Sequence, residues 1–110
     1  MMIMPSYFLP ELIIPIEKIG DFCQRWGIIE LSLFGSVLRD DFHDESDVDV
    51  LIQFDHDHHY KLSDWLTMGD ELETLFERDV DMIDKEALLQ SRNYLRRNAI
   101  LNTAQVIYAR

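Results

Sequence analysis

The chain has 110 residues, with 21 Asp and Glu against 10 Lys and Arg and a formal net charge of −11. That length suits one domain with a modest core, burying roughly 60–70% of the unfolded surface, and an apolar share of 47% sets it apart from acidic disordered tails. The negative surplus excludes passive binding of nucleic acid or an anionic membrane and suits cations or a basic partner. The single Cys23 excludes an internal disulfide framework and fits a reducing compartment, so a cytoplasmic location is expected.

Residues Met1–Ile16 form an apolar stretch, but they lack a basic leader and are cut by Pro5, Pro10 and Pro15. Their apolar runs fall far short of the roughly 18–20 residues a membrane span needs. They are expected to form an arm over the core, or against a partner chain. From Ile16 to Trp26 the apolar positions Ile16, Ile19, Phe22, Cys23 and Trp26 recur at helical spacing, and Gly27 is a plausible stop. Ile28–Phe34 reads as a buried strand closed by Gly35-Ser36, and Asp47–Phe54 as a second, with Val48, Val50, Ile52 and Phe54 on one face. Lys61–Phe76 is expected to be helical, with Leu62, Trp65, Leu66, Leu72, Leu75 and Phe76 as its stripe. Asp79–Ile83 is a third strand. Asp84 then caps a C-terminal helical region, broken near Ser91–Asn93. This order predicts a mixed α/β (α+β) domain, a small mixed sheet flanked by helices.

Charge is unevenly spread. Residues 91–110 hold four arginines and no acid, while eight carboxylates crowd into Asp40–Asp57. Within that crowd, Asp47 and Asp49 share a strand face about 7 Å apart. Such a pair repels unless it is solvated, as many strand ends are, or holds a cation; Mg²⁺ suits one or two carboxylates together with substrate phosphates. Gly35-Ser36, where a strand turns towards a helix, offers backbone N–H groups and a hydroxyl to a phosphate. Alone it is a common turn. Together, cradle and acid pair describe a site for a Mg²⁺–nucleoside triphosphate. Asp79 and Asp81 share a face of the third strand, opposite Val80 and Met82, and either could supply a third carboxylate to a two-metal site; both could instead be exposed strand residues.

Gly35-Ser36, ten residues, then Asp47-Val48-Asp49 resembles the GSx10DxD signature of the DNA polymerase beta-like nucleotidyltransferase superfamily. The Leu-Phe-Gly-Ser lead-in and Val80-Asp81-Met82-Ile83 are similar to its minimal nucleotidyltransferase (MNT) branch. The resemblance covers about Ile16 to Tyr108 and implies a nucleotidyltransferase fold over residues 16–110, behind an arm of residues 1–15. It implies Mg²⁺-dependent transfer of a nucleoside monophosphate from ATP with release of pyrophosphate. Asp47 and Asp49 would be metal ligands, Asp81 the third carboxylate and metal ligand, and Gly35 and Ser36 the triphosphate cradle. Arg39 would contact phosphate or pair with a nearby Asp. Many such chains are antitoxins of a type VII-like pair, adenylylating a tyrosine of a HEPN-domain ribonuclease toxin and forming a complex with it. The acidic surface fits a basic toxin face. Two rival readings are an antitoxin acting by occlusion alone and a nucleotidyltransferase for a small molecule, for which the chain is short.

Less weight falls elsewhere. Asp55-His56-Asp57-His58-His59 contains zinc-ligand types but reads as a solvated loop. Trp26, Trp65 and Cys23 read as core. Arg92, Arg96 and Arg97 read as a solvated face or partners of the chain's own acids rather than nucleotide or RNA contacts.

Overall fold

The computed structural model describes residues 2–3, 15–35 and 47–110. Helix α1 (Ile16–Arg25) carries Glu17 in its first turn and Arg25 in its last, each favourable to the helix dipole. It buries Ile19, Phe22 and Cys23 and stops at Gly27, whose φ of 68° suits a residue without a side chain. Strands β2 (Ile28–Phe34) and β3 (Val48–Phe54) follow, paired antiparallel. Helix α2 (Leu62–Phe76) then crosses over to β4 (Val80–Asp84), which lies parallel to β3, as a parallel pair requires.

The expected helical break is present. Asp84 caps α3 (Lys85–Leu89), accepting the Glu86 backbone N–H at 2.9 Å. Asn93 caps α4 (Tyr94–Thr103), accepting the Arg96 backbone N–H at 3.1 Å. The rest of the C-terminal region departs from the helical expectation, because Gln105–Ala109 forms a strand, β5, beside β2. Its outer edge pairs with a two-residue strand, β1 (Met2–Ile3), so that the sheet runs β1-β5-β2-β3-β4. The N-terminal arm therefore contributes backbone pairing; residues 4–14 lie outside the described residues.

Helices cover both faces of the sheet. Val48, Val50 and Ile52 of β3 pack with Ile19 and Phe22 of α1 and Met68, Leu72 and Phe76 of α2 in the larger core. On the other face Phe34 and Leu51 meet Leu88 of α3 and Ile100 of α4. Alternation along β3 thus sends Val48 and Val50 into one core and leaves Asp49 on the face of Leu51. The α2 stripe needs correction: Leu62 and Leu66 are 74% and 61% exposed. The inward line is Met68, Leu72 and Phe76, four residues apart, with Trp65 and Leu75 partly buried beside it. Among the described residues, no helix is long and apolar enough to cross a membrane.

Candidate nucleotide and metal site

Two acidic residues line one groove on the face covered by α3 and α4. Asp49 in β3 and Asp81 in β4 are direct register partners across the parallel pair, which puts their Cα atoms on neighbouring strands about 5 Å apart. The start of this pair is tightly fixed. The Val48 N–H donates to the Asp79 carbonyl at 2.9 Å, and the Val80 N–H donates to Oε2 of Glu73 on α2 at 3.1 Å. The backbone entering Asp81 is consequently held from the crossover helix as well as from the sheet.

Gly35 closes the site from β2. Phe34 pairs with Asp49, and the next residue, Gly35, has a φ of 75°. A Cβ on Gly35 would run into the Asp49 carboxylate. Glycine is required here twice, by backbone conformation and by close approach.

These residues line a groove of about 760 Å³ that also receives Arg96, Asn102 and Thr103 from α4 and Gln105 from β5. The volume is within the range of small-molecule sites. Of the sequence-predicted site residues, the structure brings Gly35, Asp49 and Asp81 together here. Asp47 is exposed immediately before β3 and does not line the groove. Ser36 and Arg39 lie outside the described residues. Sequence reasoning missed Asn102 and Gln105 and set Arg96 aside; the one available signal was that Arg96 belongs to the acid-free stretch of an acidic chain.

The Asp-His run sits beyond the far end of β3. Asp55 accepts the Asp57 backbone N–H at 3.1 Å and the Arg110 guanidinium at 2.7 Å. Those bonds, the backbone one foremost, hold its carboxyl below the usual range. Possible ligand atoms of Asp55, His56 and Asp57 lie within 4.8 Å of one another, so the group could bind a metal, although His56 and Asp57 are exposed. His58 turns inward instead, stacking on Phe54 with centroids 5.4 Å apart. Part of this run is therefore structural rather than solvated. Cys23 is buried in the core, which pushes its thiol up to about 12 and leaves it no role as a nucleophile.

The model of the nucleotidyltransferase domain family matches residues 16–106. The chain belongs to that family. Among its relatives, MntA of Thermococcus cleftensis, named a protein adenylyltransferase, is 32% identical over 65 residues, 59% of this chain. A Methanocaldococcus jannaschii protein, also named for protein adenylyltransferase activity, is 30% identical over 64 residues, 58% of this chain. The matched segment spans 64% of the length of each of these curated relatives. A solved minimal nucleotidyltransferase superposes with a TM-score of 0.63 at 28% identity, covering 82% of this chain and 86% of that one. A toxin–antitoxin structure with AMP-PNP superposes with a TM-score of 0.64, covering 87% and 74% respectively; at 19% identity it shares the fold.

Proposed function

We propose that the chain is a protein adenylyltransferase that serves as the antitoxin of a HEPN-domain ribonuclease toxin, transferring AMP from ATP to a tyrosine of that toxin. The observation that carries this reading is the register of Asp49 with Asp81 at the floor of a groove closed by Gly35. Support comes from the two relatives named as protein adenylyltransferases and from the shared fold of the toxin–antitoxin structure with AMP-PNP.

The donor set fits Mg²⁺, since the carboxylates of two adjacent strands offer hard oxygen ligands. Asp49 and Asp81 would hold it from the groove and Asp47 from its exposed place just before β3, and when bound it would neutralise triphosphate charge and acidify an acceptor hydroxyl. Gly35 and Ser36 cradle the triphosphate through backbone N–H groups and a hydroxyl, and Arg39 contacts phosphate. Asp81 takes the acceptor's proton. The acceptor oxygen attacks the α-phosphorus in line, the bond to the bridging oxygen breaks, and pyrophosphate leaves. The cytoplasm, where ATP and the toxin's RNA substrates meet, is the setting this reading requires.

The test is incubation of the protein with ATP, Mg²⁺ and the HEPN toxin encoded beside it. The toxin should gain the mass of adenylate, and D47N/D49N should abolish the gain. Labelling that survives in the double variant would refute the ligand assignment. Protection of cells by the double variant would instead favour neutralisation by occlusion.

A further inference from the structure

We propose that Arg96 holds the phosphate chain of the nucleotide from the α4 wall of the groove. This rests on the nucleotidyltransferase reading and adds to it a residue outside the Gly-Ser and Asp motifs. Arg96 lines the same groove as Gly35, Asp49 and Asp81, but from a different element. The four arginines of residues 91–110 have distinct situations. Arg110 is engaged by Asp55 at 2.7 Å. Arg97 donates to the Ser91 carbonyl at 2.9 Å, bracing the turn between α3 and α4. Arg92 is exposed and does not line the groove. Arg96 remains, directed to the groove and, among the described residues, paired with neither Asp49 nor Asp81.

A guanidinium that shares a cavity with two carboxylates and does not pair with them fits a ligand carrying its own negative charge. A nucleoside triphosphate is such a ligand. Its phosphates can be approached by metal-holding acids on the strand wall and by a bidentate guanidinium on the helix wall. The fold supports this placement, since the Arg96 backbone N–H is tied to the Asn93 cap, which fixes the first turn of α4 and leaves the exposed side chain for the ligand.

The test is calorimetric titration with ATP, with and without Mg²⁺, of the wild type and of R96Q, R96K and R92Q. Loss of one charge-assisted contact predicts ATP binding roughly 10–100-fold weaker in R96Q, partial recovery in R96K, and wild-type binding in R92Q. The thermal midpoint of R96Q should match the wild type, because the cap uses only the backbone N–H. ATP binding by R96Q within twofold of the wild type would overturn the proposal and leave the nucleotidyltransferase reading intact. Equal weakening in R92Q would also overturn it, since the effect would then be general charge. A wild-type chain that binds no ATP would overturn both.

Discussion

Replacing Gly35 by alanine tests the site and its packing together. Gly35 has a φ of 75°, where an L-residue costs about 1–2 kcal/mol. The added methyl would also meet the Asp49 carboxylate, which must rotate off its position opposite Asp81. The expected loss is therefore about 2–3 kcal/mol of stability, read as a fall of roughly 8–15 °C in the thermal midpoint. Adenylate transfer should fall more than this destabilisation explains, because the displaced group is a proposed ligand. Gly27→Ala separates the two effects. Gly27 has a comparable φ of 68° and faces the His58 ring, so it should lose similar stability while ATP binding at 15 °C persists. Differential scanning fluorimetry and ATP titration on both variants supply the comparison. If G35A melts and transfers adenylate like the wild type, the account of Gly35 is wrong.

Three further outcomes follow from the packing. Tyr60→Phe removes a 2.6 Å hydrogen bond from the phenol to Asp84 and should cost about 1–2 kcal/mol in urea denaturation; the α3 cap should survive, because the other Asp84 oxygen accepts the Glu86 N–H. The Arg25 and Trp26 hydrogen bonds hold the Glu71 carboxyl below its usual value near 4.5. That contribution is full above the unfolded pKa and is lost as pH falls through the folded one, so the gap in urea midpoint between the wild type and E71Q should be present at pH 7 and shrink as the pH is lowered below the unfolded value. Finally, burial pushes the Cys23 thiol up to about 12, so a disulfide reagent at pH 8 should leave the native protein unlabelled and modify it in guanidinium.

The strongest local signals carried most of the fold. β2 was legible to the residue because a mostly apolar run of seven positions lies between two glycines, and side-chain chemistry marked Asp84 as a helix start and Ser91–Asn93 as a break. β5 was hidden. Only Ala104 separates it from α4, with no Gly or Pro to mark a boundary, and its strand character is realised by pairing with β2. Leu62 and Leu66 misled because periodicity records apolar spacing, whereas the direction of burial is decided by the sheet that α2 crosses. At the site, Asp49 and Asp81 could be guessed as neighbours from their strand phases. Arg96 could not be singled out from Arg92 and Arg97 in the same acid-free stretch, since its approach depends on α4 folding back over the sheet, a tertiary relation.

The position of β5 also has a consequence for synthesis. β5 follows every other element in chain order, yet it lies inside the sheet, between β1 and β2, and buries Ile107 and Tyr108. A nascent chain that has made both carboxylate strands still presents an open β2 edge and an unfilled core until residue 109 is available to pair with it. The groove, whose wall includes Gln105, is therefore completed at the same moment as the sheet. Translation stopped short of β5 would release an aggregation-prone edge rather than a smaller working domain.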